Sequence, residues 1–382
     1  MSENVTSKRN KRRLLIIICT VLVLATLADI AISNALGRDT VIIRIYNTLT
    51  NRSQTRFAEE YYFDVGRSRV FTYSKNVIIA AGTLGIHALE PDGTEVLRDS
   101  FRMTTPCIKT NNAYFVIYDI GGNQIRVMSG SETHYAIETD GTITAVSVNR
   151  NGWIAVCTDE SNIYKGTVTV YNNSGTPEYL VNLASGYISA AVLSQDNKNL
   201  AILNHNENGS TVTFYDLSSE SLQRSFEYPN QLILDISYRP SGDIFAVAAS
   251  ELFIIDKRNE TSTIYDFADM FLRGFSASGD YIVLHLLNYS VGYTGMTVTL
   301  DYNGRILGQT GTDKELLDIA QSADYLALLR SDGLYLFDLS LNPLPIETQS
   351  VMANTVTGII ALDNKTILAV SDRFAGVFNS GI

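Results

Sequence analysis

The chain has 382 residues, of which 45% are hydrophobic and 18% are charged, so it is long enough and apolar enough to bury a large core. Its net charge is −11; the first thirteen residues contribute +4, which leaves −15 for the rest. An acidic body of this kind argues against nucleic acid as a partner, because phosphates require a basic face.

The first predicted element is a membrane-spanning helix over residues 14–36. No charge occurs between Leu14 and Ala28, and the 23 residues are enough to cross a bilayer core of about 30 Å. A basic flank precedes the span, formed by Lys8, Arg9, Lys11, Arg12 and Arg13. Positive charge on this side predicts a cytoplasmic N-terminus and an extracytoplasmic location for everything after the span. A signal peptide cleaved near Ser33-Asn34-Ala35 is the alternative.

A stretch without turn signals follows the predicted span. Residues 37–60 alternate apolar and polar groups, which favours a stalk or linker. The sequence therefore predicts four regions: a cytoplasmic basic tail at 1–13, a transmembrane helix at 14–36, a stalk at 37–60 and a folded extracytoplasmic domain at 61–382.

The folded region contains an internal repeat of about 41 residues. Short apolar strands end at an acidic, amide or hydroxyl residue followed by a turn, at successive steps of 39, 43, 44, 40, 45, 37 and 41 residues. The eight positions are Glu90, Ser129, Asn172, Asp216, Asp256, Asp301, Asp338 and Asn379. This spacing is typical of the four-stranded blade of a β-propeller.

A second signature, a polar turn followed by a dense apolar run, occurs within the units. "RPSGDIFAV" (239–247) and "SASGDYIVL" (276–284) are examples. Asn, Asp, Ser and Gly provide the turn, and the following strand is apolar throughout because a middle strand of a stacked blade is covered on both faces. The fold class is therefore all-β, a propeller of four-stranded antiparallel blades.

The last unit is one strand short. Three strands lie between residues 357 and 379, whereas "EEYYFDVG" (59–66) is a spare strand before the first unit. We expect this N-terminal strand to complete the last blade and close the ring. Eight blades are favoured, and seven are possible if the weakly patterned unit at 102–141 is irregular.

These residues resemble the WD40-like and quinoprotein-like propeller superfamily. The resemblance depends on Arg239-Pro240-Ser241-Gly242-Asp243 and on the Tyr215-Asp216 and Phe337-Asp338 strand ends. True WD40 repeats have Gly-His pairs and Trp-Asp endings, which are absent here, as is the Trp docking motif of quinoproteins. A basic tail, one span and a propeller together look like an uncharacterised family of bacterial membrane-anchored propellers. That resemblance implies an architecture and a bacterial host but no catalytic residues.

The sequence shows no catalytic or metal-binding motif. The four histidines, His87, His134, His205 and His285, lie in four different units without ligand-type spacing. Cys107 and Cys157 fall on the first strand of one unit and the second strand of the next. The sequence is compatible with a disulfide between them and with two buried free thiols. We predict no cofactor and no metal.

Tyrosine is the one enrichment that points to binding. The segment "HLLNYSVGYTGMTVTLDYNG" (285–304) forms the longest predicted hairpin excursion of the repeat. Tyrosine is favoured at recognition surfaces, because it offers contact area and a polar tip at a small cost in entropy. We hypothesise that Tyr289 and Tyr293 line a ligand or partner surface.

We therefore expect a non-catalytic, membrane-anchored binding or scaffolding module at the outer face of a bacterial cell membrane. Its partner would be an envelope protein or a cell-wall glycan. An extracytoplasmic propeller enzyme, either glycan-cleaving or an oxidoreductase, and a sensor of small ligands are the alternatives.

Overall fold

The computed structural model describes residues 59–382 apart from 112, 160–163, 220, 259, 278–279, 345–355, 363–365, 372–373 and 380–382. By its internal contacts the unit that holds these residues is Phe57–Ile382. No helix in the described ranges is long and apolar enough to cross a membrane. The predicted tail at 1–13, the predicted span at 14–36 and nearly all of the predicted stalk lie outside the described residues.

Every regular element among the described residues is a β-strand. The first strand of the described part is β1 (Glu59–Tyr62), which begins two residues before the predicted domain boundary at 61. The first four complete blades are β2 (Val70–Ser74), β3 (Val77–Gly82), β4 (Gly85–Leu89) and β5 (Glu95–Asp99); β6 (Pro106–Asn111), β7 (Tyr114–Asp119), β8 (Gln124–Ser129) and β9 (Glu132–Glu138); β10 (Ile143–Val148), β11 (Ile154–Thr158), β12 (Gly166–Tyr171) and β13 (Pro177–Leu183); β14 (Tyr187–Leu193), β15 (Asn199–Asn206), β16 (Gly209–Asp216) and β17 (Ser221–Pro229). The others are β18 (Ile233–Tyr238), β19 (Ile244–Ala248), β20 (Glu251–Ile255) and β21 (Thr261–Asp266); β22 (Phe271–Ser276), β23 (Ile282–Leu287), β24 (Gly295–Leu300) and β25 (Ile306–Thr312); β26 (Leu316–Gln321), β27 (Leu326–Arg330), β28 (Gly333–Phe337) and β29 (Pro343–Leu344); β30 (Gly358–Ala361), β31 (Thr366–Val370) and β32 (Phe374–Asn379).

These strands form eight antiparallel sheets of four strands, so the prediction of eight blades is confirmed. The alternative of seven blades depended on an irregular unit at 102–141, but this unit is a regular blade formed by β6 to β9. The counted Asp and Asn positions fall at or directly after the end of the third strand of each blade. There the side chain holds the next hairpin: Asp301 Oδ1 accepts the backbone N–H of Asn303 and of Arg305, both at 2.9 Å. Asn172, Asp216, Asp256 and Asp338 accept backbone N–H groups of their own hairpins in the same way, so a short polar acceptor at that place stabilises the turn.

The N-terminal strand closes the ring, as predicted. In the eighth blade β1 pairs antiparallel with β32, and Tyr62 lies opposite Phe374 in the register. The Tyr61 hydroxyl donates to the carbonyl of Pro91 in the first blade at 2.6 Å. An apolar cluster that includes Phe63, Val65, Ile78 and Leu368 fills the space between the eighth and first blades. No open blade edge is therefore left between the two ends of the propeller.

Apolar packing between neighbouring blades forms the core. Eight clusters are present, and each joins one blade to the next around the ring. Middle strands such as β3, β23 and β27 are buried at every residue because both of their faces are covered. Since burial of one large aliphatic side chain contributes about 1.5–3 kcal/mol, most of the stability comes from these interfaces. Cys107 and Cys157 are free thiols, at the predicted strands β6 and β11.

Candidate binding face

The meander within each blade gives the ring two different rims. Loops that join second to third strands, and connections from a fourth strand to the first strand of the next blade, lie on one rim. Hairpins that join first to second and third to fourth strands lie on the other. We call the first the apolar rim and the second the turn rim, because of the residues found on them. Strand β1 begins at the turn rim with Glu59.

On the turn rim, the Asn and Asp side chains that shape the hairpins bond to the backbone of those hairpins. Asn149 is buried and donates its Nδ2 to the carbonyl of Ser194 in the next blade at 3.1 Å, while its Oδ1 accepts the N–H groups of Asn151 and Trp153. The Asp256 Oδ1 likewise accepts the N–H groups of two residues in its own hairpin. The groups that make these turns are therefore already satisfied within the fold.

Exposed large apolar side chains are concentrated on the opposite rim. Of the fourteen in the described part of the chain, ten lie on the apolar rim and the other four on fourth strands. Seven of the ten belong to the consecutive fifth, sixth and seventh blades, and we call them the rim patch: Leu232, Leu234, Phe271, Tyr289, Val291, Tyr293 and Leu317. Clustered exposure of this kind marks interaction surfaces, whereas single exposed apolar residues do not.

The loop that joins β23 to β24 forms the outer part of the rim patch. Its residues 288–294 carry Tyr289, Val291 and Tyr293, which are 70%, 85% and 46% exposed. The backbone closes the loop with a bond from Asn288 N–H to the Thr294 carbonyl at 2.9 Å. The structure thus places both sequence-predicted tyrosines on the surface of one loop, and their role in binding stays a prediction.

Two first strands supply the inner part of the patch through an irregular register. Each of β18 and β26 contains a β-bulge that leaves one leucine unpaired, Leu234 and Leu317, and both are exposed. The residue after each leucine is an aspartate whose Oδ1 accepts the N–H of the following isoleucine. The sequence analysis missed these leucines. The available signal was the repeated triplet Leu-Asp-Ile at 234–236 and 317–319.

Below this patch, buried basic groups lie between the sixth and seventh blades. His285 is 1% exposed, and its Nδ1 lies 3.0 Å from the Thr297 hydroxyl. Burial, with the charges of Arg330 and Arg273, lowers the pKa of His285 to about 4. Arg330 is 8% exposed and lies over the rings of Tyr335 and Phe337 at 4.9 and 5.8 Å. The imidazole is therefore neutral at pH 7.

The acidic residues of the first strands have structural tasks. Asp318 accepts N–H bonds from Ile319 at 2.8 Å and from Ile359 of the next blade at 2.7 Å, so its carboxylate joins the seventh blade to the eighth. Burial raises the pKa of Asp235, and the charge of Lys109, three blades away, opposes this rise. In the described residues no group of three His, Cys, Asp or Glu side chains is arranged to hold a metal ion.

Comparisons with known proteins agree with this architecture. The "Family of unknown function (DUF5711)" matches residues 49–374, and no curated protein matches the chain. The solved structure of BamB from Moraxella catarrhalis is similar at 13% identity and a TM-score of 0.53, covering 85% of this chain and 99% of that one. The C-terminal WD40 domain of Sif2 is similar at 14% identity and a TM-score of 0.57, covering 84% of this chain and 97% of that one. At these identities the similarity shows the propeller fold alone.

Proposed function

This chain belongs to the family of unknown function DUF5711, and within that family we propose that it is a non-catalytic binding or scaffolding module that presents its apolar rim to a protein partner. The rim patch carries the proposal. Its seven exposed apolar residues come from three consecutive blades and lie on one rim. Because the ring already fixes the backbone that carries this surface, little conformational entropy is lost when a partner binds.

The composition of the rim patch favours a protein over a glycan. Leu232, Leu234, Val291 and Leu317 are aliphatic, and aliphatic surface is matched by the apolar side chains of another protein. Sugars offer hydroxyl groups, which need hydrogen-bond partners that these side chains lack. An envelope protein is therefore the partner we propose, rather than a cell-wall glycan.

Membrane attachment belongs to the same proposal. The uncharged run from Leu14 to Ala28 and the basic flank before it support a cytoplasmic N-terminus and a propeller outside a bacterial cell membrane. Alkaline carbonate extraction tests the anchor: the full-length protein should stay with the membrane, and release with peripheral proteins would contradict it.

Site-specific photocrosslinking in the native cell envelope tests the binding face. A photoreactive residue at Val291 should give a covalent adduct with one envelope protein, because this side chain is 85% exposed within the patch. The matched control carries the same probe at Ser218, an exposed residue of the turn rim, and should give none.

A second change separates a specific adduct from chance contact. Adding Leu317→Asp to the Val291 probe should reduce the adduct at least fivefold, since a carboxylate in the patch opposes burial against an apolar partner. Equal adducts from both rims, no adduct from Val291, or an adduct that Leu317→Asp leaves unchanged would each contradict the proposed face.

A further inference from the structure

A cavity of about 330 Å³ opens on the turn rim between the fourth and fifth blades. Residues from four hairpins and strand ends line it, among them Gln195, Asp196, Arg224, Tyr238, Arg239 and Lys257. Its volume lies at the lower end of the range of small-molecule sites, so it fits a ligand of about the size of one sugar. It lies on the rim opposite to the rim patch and is independent of the function proposed above.

The charge of this cavity is opposite to that of the chain. Three lining residues, Arg224, Arg239 and Lys257, are basic, and Asp196 is the acidic one, although the chain as a whole carries −11. The Asp196 Oδ1 accepts the Ser194 hydroxyl at 2.6 Å and is thereby held in its own turn. Across the described residues neither Arg239 nor Lys257 forms an ion pair. The cavity therefore favours a ligand with negative charge.

The guanidinium of Arg224 is held rigidly in the wall. It stacks over the ring of Phe214 at 4.1 Å, and its Nη1 donates to the carbonyl of Lys257 at 3.3 Å. Beside Lys257, Gly242 has a φ of +86°, a left-handed backbone conformation that favours glycine. The Arg224 guanidinium is thus positioned by the fold, which lowers the cost of ordering it around a ligand.

Two buried polar atoms of the lining have no protein partner. The Tyr238 hydroxyl and the Gln195 Oε1 are buried in the wall of the cavity, and neither is hydrogen-bonded to any described residue. Such orphaned groups cost about 1–3 kcal/mol each unless something else satisfies them. The Tyr238 hydroxyl can donate to an anion, and the Gln195 carbonyl requires a donor such as a hydroxyl group.

We propose that this cavity binds a small hydroxylated oxyanion, of the kind found in sugar acids and sugar phosphates. Its carboxylate or phosphate accepts hydrogen bonds from Arg224, Lys257 and the Tyr238 hydroxyl, and one of its hydroxyls donates to Gln195. Charge-assisted bonds of this type provide the affinity, and the hydroxyl contact provides selection for a polyol.

Isothermal titration of the purified protein with D-glucuronate, D-glucose 6-phosphate and neutral D-glucose tests the proposal. At least one of the two anions should bind at least tenfold more tightly than D-glucose. Binding of D-glucuronate alone identifies a carboxylate ligand, and binding of D-glucose 6-phosphate alone identifies a phosphate ligand. Binding of neither anion, or of D-glucose as tightly as the anions, overturns the proposal.

Three variants locate the binding site. Tyr238→Phe removes only the unpartnered hydroxyl, so the protein should fold normally and bind the anion at least threefold more weakly. Lys257→Gln should weaken binding about tenfold. The control Arg258→Gln changes an exposed neighbour that pairs with Asp256 and lies outside the cavity, and should leave binding unchanged. If Tyr238→Phe and Lys257→Gln both bind as the wild type does, the anion is held elsewhere and the proposal is wrong.

Discussion

The two rims of this propeller are built by the same strands, yet they use their side chains in opposite ways. On the turn rim, the side chains of residues such as Asn149 and Asp256 hydrogen-bond to the backbone of the hairpins that repeat from blade to blade. On the apolar rim, the side chains of Leu234 and Val291 are exposed to solvent. The polar groups of the hairpins on the turn rim are therefore used within the fold, whereas the apolar side chains of the rim patch are available to a partner.

This comparison predicts that a turn-rim substitution damages stability and leaves partner binding intact. Asn149→Ala removes four hydrogen bonds of a buried side chain, which should lower the free energy of unfolding by about 4 kcal/mol. Chemical denaturation measures the change. Below the unfolding transition, the Val291 photocrosslink should be unaffected.

The neighbouring Asn151 provides the control. It is exposed, and its Nδ2 donates to the carbonyl of Gln195 at 2.7 Å and to the Asn197 Oδ1 at 3.4 Å, so Asn151→Ala should cost less than about 1 kcal/mol. If the two alanine variants lose the same free energy of unfolding, the buried hydrogen bonds of Asn149 are not what stabilises this rim. The proposed structural role of the turn rim would then be wrong.

A second prediction concerns the blade interface below the rim patch and depends on pH. Because His285 has a pKa of about 4 in the folded state and an ordinary value of 6.5 when unfolded, the unfolded chain binds more protons between these values. Stability due to His285 is therefore complete above pH 6.5 and is lost as the pH falls towards 4, by about 3 kcal/mol at most. Denaturation at pH 7 and at pH 4.5 measures the loss.

Other groups also titrate in this window, so variants are needed to assign the effect. Burial lowers the pKa of His87 and of His205 as well, which adds a loss of the same sign. His285→Asn should make the loss between pH 7 and pH 4.5 smaller, whereas His134→Asn, at an exposed position on β9, should not change it. An unchanged loss in His285→Asn would mean that this imidazole is not the buried neutral group described above.

Much of the fold could be predicted from the sequence because its signals are local and repeated. An acceptor at the end of the third strand recurs about every 41 residues from Asn172 to Asp338, and in these five blades it bonds the backbone of its own hairpin, as Asp301 does. Ring closure followed from counting, since the last unit lacks one strand and Glu59–Tyr62 is spare. The predicted anchor and stalk are separate inferences and stay predictions.

Most of the surface sites could not be predicted, because they join residues that are distant in the chain. Leu232 and Leu317 lie 85 positions apart in the chain. They come to the same part of the rim only because the fifth and seventh blades are separated by a single blade in the ring. A β-bulge, which the apolar pattern does not reveal, exposes Leu317. Tyr289 and Tyr293 were found because they share one loop, where composition alone gives a signal.

Substitutions in that loop should have the smallest effect on stability, and they test most directly whether the apolar rim binds the partner. Tyr289→Ala with Tyr293→Ala removes two surface rings that are 70% and 46% exposed, so the free energy of unfolding should change by less than about 0.5 kcal/mol. Partner affinity should fall by about 1–2 kcal/mol, or roughly five- to thirtyfold, if the rings are buried on binding. Crosslinking yield from Val291 and the affinity for the captured partner measure this.

The matched control is Leu180→Ala with Leu222→Ala. These two residues are about as exposed as the two tyrosines but lie on fourth strands, so the control variant should bind the partner normally. If this control weakens binding as much as the tyrosine pair does, recognition does not reside on the apolar rim.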